Sequence, residues 1–199
     1  MNNTIKGPTS KEANYCKKGH DDDKIVRTLL SRDLINDIII HTVDVDYDSF
    51  FRSLDIDLIL YNKDNKMATA EIKADAFPVM KDGKKYIFCE LVSNSKKFEE
   101  SKGKTGQGCI LTSKSDYFIF YFILYDSYLV IKSNILRDYI LNNKEKYDEK
   151  KARTWSPDNK KIWYYSIGRV VPIDDILKIG GTYVESRYKY EDIKKELNI

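Results

Sequence analysis

Apolar and polar residues alternate along Leu54–Tyr61, which carries the clearest secondary-structure signal in the sequence. Every second residue of this segment is apolar, and Asp55 and Asp57 lie between them. Such alternation predicts a half-buried strand with carboxylates on its second face. Turn-forming residues follow at Asn62–Asn65, and an extended apolar pattern resumes over Met67–Lys73. The two segments therefore predict a β-hairpin.

Similar patterns predict further elements on both sides of this hairpin. Strands are predicted at Tyr86–Val92, Asp116–Leu124 and Tyr128–Lys132. Helices are predicted over about Asp22–Asp37, where the acids Asp21–Asp23 suit a helix start, from a capping Ser133 through Ile140, and over about Glu191–Leu197. This order of helix, three strands, loop, two strands and helix is typical of an α/β sandwich with a central mixed sheet flanked by helices.

The chain length suits one domain, because 199 residues can enclose a proper core. Residues 1–20 lack periodicity and are predicted to form a flexible arm, which leaves residues 21–199 as the domain. Residues 95–115 are polar and contain several glycines, which predicts a flexible loop. A C-terminal extension is predicted from about residue 144, beginning with a charge-rich excursion over residues 144–161.

Cysteine usage and hydropathy indicate a cytoplasmic protein. The three cysteines are widely spaced and form no CxxC pair, which argues against a disulfide framework or a zinc site. No signal-peptide pattern opens the sequence, and the longest apolar run, Tyr117–Tyr125, is far shorter than the roughly 20 residues of a membrane span. We therefore expect no membrane association.

The predicted hairpin brings candidate catalytic residues together. Glu71 and Lys73 share one face because they are two residues apart, and Asp57 can lie beside them on the neighbouring strand. Two half-buried carboxylates favour a compensating cation, and Mg²⁺, with Mn²⁺ as a substitute, prefers carboxylate oxygen and water. We predict that Asp57 and Glu71 bind the metal with the Ile72 carbonyl, and that Lys73 positions or helps to deprotonate the attacking water.

Asp57 followed after fourteen residues by Glu71-Ile72-Lys73 resembles the PD-(D/E)xK nuclease superfamily, in a phage-type or restriction-type form. Ile56 stands where the nominal motif has proline, an absence that is common in the group. The resemblance covers about residues 24–140 and implies a restriction endonuclease-like fold, a Mg²⁺-dependent endonuclease activity and DNA as substrate.

Two further acids are candidates for supporting roles. Asp55 points to the same side as Asp57 in the predicted strand, but the step from Asp57 to Glu71 suits direct pairing better. Glu90 is an acid inside an apolar strand, and Glu90–Asn94 looks like a strand end found in phage-type members of the superfamily. Either acid is interpreted as a residue that supports the metal ligands without binding the first metal, and Glu90 is also a candidate ligand of a second metal ion. An exposed strand glutamate is the equal alternative for Glu90. The acids at positions 44, 46 and 48 are assigned to a surface segment near the edge of the site.

The charge distribution favours a nucleic-acid partner more than the net charge does. The net charge is only +3, but residues 81–114 contain eight lysines against four acids. A basic patch beside the site would steer and hold a phosphate backbone. The candidate DNA-binding residues are Lys84, Lys85, Lys96, Lys97, Lys102 and Lys104. A homodimer is expected if both DNA strands are cut, because one site cuts one strand.

Two alternatives remain open on the sequence alone. The fold can be present without catalysis, as a module that binds DNA or a protein, or the acids can be ordinary surface charges on a sheet. Other enzyme classes lack support, because the sequence contains no GxSxG, Walker A or Rossmann GxGxxG motif and its two histidines lie outside any recognisable motif.

Overall fold

The structure is a computed structural model that describes residues 15–36, 38–75, 79–81, 84–155 and 161–199. Its helices are α1 (Tyr15–Asp33), α2 (Ser49–Ser53), α3 (Ser95–Glu100), α4 (Cys109–Thr112), α5 (Ser133–Asn142), α6 (Ile173–Lys178) and α7 (Tyr190–Glu196). Its strands are β1 (Ile39–Asp44), β2 (Leu58–Asn62), β3 (Met67–Asp75), β4 (Val79–Lys81), β5 (Lys84–Val92), β6 (Tyr117–Phe122), β7 (Ser127–Lys132), β8 (Glu149–Trp155), β9 (Ile162–Pro172) and β10 (Thr182–Glu185). No described helix is both long and apolar enough to cross a membrane.

A curled mixed sheet of six strands forms the centre of the α/β fold, in the order β1-β2-β3-β6-β7-β10. β3 and β6 are parallel, and the other neighbours in this sheet are antiparallel. Phe118 to Phe122 of β6 are all buried, because layers cover both faces of this central strand. The predicted α/β class with a central mixed sheet is confirmed.

Helices α1 and α7 cover one face of the six-stranded sheet. Ile25, Val26, Leu29 and Leu30 of α1 recur at helical spacing and pack onto this face. The helix begins at Tyr15, so the predicted start at Asp21–Asp23 is wrong and these acids lie inside it. The prediction failed because acids also suit the solvent side of a helix interior. Residues 1–14 of the predicted arm lie outside the described residues.

The end of α1 comes earlier than the predicted Asp37. The chain leaves the helix after Asp33, whose buried carboxylate accepts hydrogen bonds from the main-chain N–H and the Nε of Arg187. This partner is 154 residues away. Local sequence therefore carries no signal for this end of the helix.

A second sheet of four strands, in the order β4-β5-β9-β8, contributes to the layer on the opposite face. The predicted strand Tyr86–Val92 is confirmed as part of β5, but it pairs with β9 in this second sheet and not with the hairpin. The reason is that β3 takes β6 as its parallel neighbour on the side away from β2. Ile87 and Cys89 of β5 then pack in a core shared with the phenylalanines of β6.

The C-terminal part of the chain contributes to both sheets. β8 occupies residues where a long excursion was predicted, so that prediction is wrong for 149–155, while residues 156–160 lie outside the described part. Pairing with β9 makes the charge-rich sequence extended, an influence that local composition does not reveal.

The predicted β6–β7 hairpin and the helices α5 and α7 are confirmed. Ser133 does not cap α5, since its hydroxyl lies 3.1 Å from that of Ser115 and Lys132 is the residue at the cap position.

Candidate active site

The turn between β2 and β3 fixes the register that brings Asp57 beside β3. The Asn62 side chain accepts hydrogen bonds from the N–H groups of Asp64 and Lys66, and Asn65 has a positive φ of 55°. Leu58 consequently pairs with Ala70 in the antiparallel ladder. These contacts confirm the hairpin predicted from the alternation pattern.

Asp57 continues the ladder with its side chain. Its main-chain N–H donates to the Ala70 carbonyl at 2.9 Å, and its Oδ2 accepts a hydrogen bond from the Ile72 N–H at 2.7 Å. The carboxylate therefore lies at the edge of β3, next to the Glu71–Lys73 segment. In an antiparallel ladder the N–H and C=O of one residue point to the same neighbour, so the Ile72 carbonyl also faces this side.

Glu71 and Lys73 lie on one face of β3, as the two-residue spacing predicted. The Lys73 Nζ is 2.6 Å from the Glu71 Oε1. The Glu71 side chain is almost fully buried, with 6% of its surface exposed, whereas 39% of the Lys73 side chain is exposed. The site thus pairs a buried acid with a lysine whose side chain is partly exposed.

The two carboxyl groups are held where ionisation is unfavourable. Burial raises the pKa of Glu71 to about 7, because the added repulsion from Asp57 accompanies desolvation and the attraction of Lys73 only partly opposes it. Burial also raises the pKa of Asp57, although the hydrogen bond from the Ile72 N–H opposes this change. The site therefore accommodates two negative charges poorly without additional positive charge.

Lys73 stays protonated in this environment. Burial disfavours its ammonium group, but interactions with Cys109, Glu71 and Asp57 outweigh the burial and raise its pKa. Without a bound metal, the ammonium form therefore persists at neutral pH.

The acids open into a cleft of about 380 Å³ at the end of the hairpin. β3 continues to Asp75, but its pairing with β2 ends at Ala70, so the following residues of β3 lack this neighbour. The cleft is lined by Asp23, Arg27, Asp46, Arg52, Asp57, Glu71, Ile72, Lys73 and Ala74. Helices α1 and α2 supply the wall opposite the strand edge.

Arg27 and Arg52 were not predicted from the sequence as residues of the site. The buried Arg27 places its Nε 3.2 Å from Asp44 and its Nη2 3.0 Å from Asp46. Arg52 is largely exposed and has one looser contact, 3.7 Å from Asp46. A buried arginine requires a charged partner. The sequence shows an arginine on the apolar side of a predicted helix, but it does not indicate which residue is the partner.

The alternating acids at positions 44, 46 and 48 have separate roles. Asp44 and Asp46 bind arginine, and Asp46 lines the cleft. Asp48 caps α2 by accepting hydrogen bonds from the N–H groups of Phe50 and Phe51. Their predicted place near the edge of the site matches this geometry.

Asp55 does not follow the predicted alternation with Asp57. Its φ is 51°, which interrupts the extended backbone, and β2 begins only at Leu58. Its Oδ2 accepts a hydrogen bond from the Thr112 hydroxyl at 2.6 Å, so α4 holds this carboxylate. Asp55 therefore lies outside the strand on which it was predicted, because its left-handed backbone interrupts the extended chain, but its charge still contributes to raising the pKa of Glu71.

Glu90 approaches the site from the second sheet. Burial raises its pKa, while the Ser166 hydroxyl and Lys73 lower it and Asp55 raises it further. Glu90 is therefore close enough to Lys73 and Asp55 for their charges to act on its carboxyl group. Its supporting role remains a prediction.

The segment after β5 is a packed structure and not the predicted flexible loop. It contains α3 and α4, and the Gly108 N–H donates to the Leu91 carbonyl at 2.8 Å. A Cβ atom at Gly108 would lie 2.3 Å from the Glu90 carbonyl oxygen, so this close approach requires glycine. The approach brings α4 to the position where Thr112 binds Asp55.

The six predicted DNA-binding lysines lie at two ends of β5. Lys85 donates a hydrogen bond to the Tyr183 hydroxyl at 2.9 Å and lies over the Tyr125 ring, so tyrosines hold its ammonium group. It is five residues from Glu90, or about 17 Å along a strand, and the exposed Lys84 is farther still. These two lysines do not join the site. The other four are exposed on or after α3, at the Glu90 end of β5: Lys96, Lys97, Lys102 and Lys104.

The candidate site offers few side-chain ligands for a metal ion. No three side chains among the described His, Cys, Asp and Glu residues are arranged to hold a metal ion. Two carboxylates with a main-chain carbonyl still fall within the protein share of a Mg²⁺ site, because this ion keeps several waters.

No family model, curated protein or solved structure matches the chain.

Proposed function

We propose that the protein is a metal-dependent endonuclease that hydrolyses DNA phosphodiester bonds, with a PD-(D/E)xK type of site. The observation that carries the proposal is the convergence of Asp57, Glu71 and Lys73 at one cleft. Both acids are disfavoured as anions there, and the side chain of the lysine beside them is partly exposed. Perturbed carboxyl groups in a cleft are typical of functional sites.

The donor set fits Mg²⁺ or Mn²⁺. Asp57 and Glu71 supply two carboxylates whose pKa values are raised chiefly by burial, so a bound cation would favour their charged forms, and the Ile72 carbonyl faces the same side. These three groups would hold the ion. When bound, the ion would lower the pKa of a water molecule and offset charge on the phosphate.

Lys73 lies where it can act on the attacking water. Without a bound metal its raised pKa keeps it as an ammonium group. In that form it can donate a hydrogen bond that orients this water, and its charge opposes the negative charge that develops on the phosphate. We therefore assign it to positioning and charge stabilisation, and help with deprotonation requires that metal binding at Glu71 and Asp57 lowers its pKa.

Substrate contacts follow from exposed basic groups near the site. Arg52 lines the cleft with most of its side chain in solvent, and a phosphate can compete for its 3.7 Å contact with Asp46. The four exposed lysines on and after α3 are available to a DNA backbone on the Glu90 side. Cleavage of both strands of a duplex would require two sites, so a homodimer is part of this proposal.

A second candidate function is a catalytically inactive module of the same type that binds DNA or a protein. The 2.6 Å pair between Lys73 and Glu71 favours it, because a lysine already bound to the acid can serve structure alone. The two functions differ in whether replacing these side chains changes chemistry or only stability.

Plasmid cleavage by matched variants separates the two functions. Supercoiled DNA is incubated with Mg²⁺ or Mn²⁺ and the wild type, Lys73→Met, Asp57→Asn or the control Asp64→Asn, which alters an exposed turn residue. We expect at least about a hundredfold loss of cleavage for the first two variants, which is the usual scale for one electrostatic catalytic group. The control should retain its activity.

Circular dichroism and thermal unfolding of the same samples show whether each variant is folded. Cleavage that survives in folded Lys73→Met would contradict the assigned role of Lys73. Absence of cleavage of supercoiled DNA by the wild type with either metal would favour the binding module.

A further inference from the structure

A second cavity, of about 570 Å³, lies at the start of β3, away from the cleft. Its lining comes from the beginning of β3, the connection between α4 and β6, and the β7–α5 junction. These residues are Met67, Ala68, Ser113, Lys114, Ser115, Asp116, Tyr117, Lys132, Asn134 and Arg137. Ala68 is five residues from Lys73 along β3, which corresponds to about 17 Å in a strand. We call this site the basic cavity.

Arg137 is fixed in the basic cavity by main-chain groups. Its Nε donates to the Ile110 carbonyl at 2.8 Å, and its Nη2 donates to the Ser113 carbonyl at 2.7 Å. Within the described residues, no hydrogen bond engages its Nη1. Neutral carbonyls orient the guanidinium without cancelling its charge, so the group is prepared to bind an anion.

The remaining charges of the basic cavity also favour an anion. Lys114 and Lys132 are exposed, and none of the ion pairs found among the described residues involves them or Arg137. One lining residue is acidic, Asp116, and its Oδ2 already accepts hydrogen bonds from the N–H and hydroxyl of Thr69. The lining therefore holds three cationic groups and one carboxylate, of which one oxygen already accepts two hydrogen bonds.

Buried serines make the wall of the basic cavity rigid. The hydroxyl of Ser115 lies 2.8 Å from that of Ser113 and 3.1 Å from that of Ser133. The Ser113 hydroxyl also donates to the Asp55 carbonyl at 2.9 Å. The backbone that carries Lys114 is therefore anchored on both sides.

We propose that the basic cavity is a phosphate-binding site. The forked guanidinium of Arg137 suits two phosphate oxygens, and the two lysines complement the remaining charge. The phosphate can belong to a polynucleotide strand or to a small ligand such as a free nucleotide or inorganic phosphate. This assignment does not rest on cleavage at the Asp57–Glu71–Lys73 cleft.

The test measures binding in EDTA, so that no DNA is cut. The probes are a fluorescein-labelled twelve-nucleotide thymidine strand, followed by anisotropy, and inorganic phosphate, followed through the ¹⁵N signals of the full chain. The variant is the pair Lys114→Gln and Lys132→Gln, because replacing Arg137 would also remove two main-chain contacts. The matched control is the pair Lys144→Gln and Lys189→Gln, which removes the same charge from exposed positions elsewhere.

If the basic cavity binds phosphate, the cavity pair weakens binding about tenfold, the size of one charge-assisted hydrogen bond. The control pair should change it less than about twofold, since it loses only long-range attraction. If the phosphate belongs to a strand, a plot of log affinity against log salt concentration should become shallower for the cavity pair. The slope for the thymidine strand should fall by about 0.7 in magnitude, because one phosphate contact is lost. If it belongs to a small ligand, inorganic phosphate alone should shift the Arg137 Nε–H signal of the wild type.

Equal losses in the two pairs, or binding of neither probe at the basic cavity, would overturn the assignment. Failure of the protein to cleave DNA would not affect this result, because binding and cleavage are measured separately.

Discussion

The Glu71 carboxyl is in a place where losing its proton costs folding free energy. Its pKa is about 7 in the folded protein, against an ordinary value of 4.5. The folded state therefore binds more protons than the unfolded state between these values, so the free energy of unfolding falls as pH rises through this range. The full difference corresponds to about 3 kcal/mol. A bound divalent cation would oppose this loss by stabilising the anion.

Replacing Glu71 with glutamine tests this linkage. Without divalent cations, the unfolding free energy of Glu71→Gln relative to the wild type should rise by about 2 kcal/mol between pH 5 and pH 8. Urea unfolding at several pH values measures the change. Glu99→Gln removes an exposed acid on α3 and serves as the control. A Glu71→Gln difference that stays constant across this pH range would contradict the account of the buried carboxyl.

Sequence periodicity was sufficient to predict that the three central residues of the site lie together. Alternation and a turn of ordinary composition predict that Asp57, Glu71 and Lys73 meet, because a strand has a fixed period of two. The same rule failed at Asp55, whose positive φ interrupts the period of two. The sequence has no glycine at this position that would have indicated a left-handed backbone. Periodicity did not predict the role of Arg27. Its contact with Asp46 joins two elements, and local sequence does not reveal how they pack.

Among the secondary-structure elements, α2 is small but positions one wall of the cleft. It has only five residues, so its stability depends on the cap supplied by Asp48 and on packing of Phe51 against a small apolar cluster. Arg52 follows directly and lines the cleft. The orientation of this wall therefore depends on the Asp48 cap together with the packing of Phe51.

Removing this cap has a defined expected cost. Asp48→Ala should lower the free energy of unfolding by about 1 kcal/mol, while Asp48→Asn, which keeps an acceptor oxygen, should retain most of it. Chemical denaturation checks both values, with Asp64→Ala as a control at an exposed turn. If the alanine and asparagine variants lose equal stability, the cap does not act through its hydrogen bonds to Phe50 and Phe51.

The second sheet shows why element partners were harder to predict than elements. β5 is a strand in both the sequence and the structure, but its neighbour is β9, about 80 residues later in the chain. β8 is still harder to predict, because the sequence EKKARTW becomes a strand only through its pairing with β9. Local patterns predict extended backbone, and only long-range pairing decides the sheet.

In the whole molecule, the two layers meet at the candidate site. The hairpin supplies Asp57, Glu71 and Lys73 from the six-stranded sheet, and Glu90 approaches from the four-stranded sheet. The cleft opens where the pairing of β2 and β3 ends, so a long substrate can reach the acids from outside. The net charge of +3 does not select a partner, whereas the basic cavity and the lysines after β5 concentrate positive charge at two places on the molecule.

Metal binding is the direct test of the site. Crystals soaked in Mn²⁺ at pH 8, where Glu71 is ionised, should show anomalous density between the Asp57 and Glu71 carboxylates, with metal–oxygen distances of about 2 Å. The Ile72 carbonyl should face the same ion, and the pair between Lys73 and Glu71 should lengthen as the metal takes the acid. Anomalous density elsewhere, or none with Lys73 still bound to Glu71, would contradict a metal-dependent nuclease site at this hairpin.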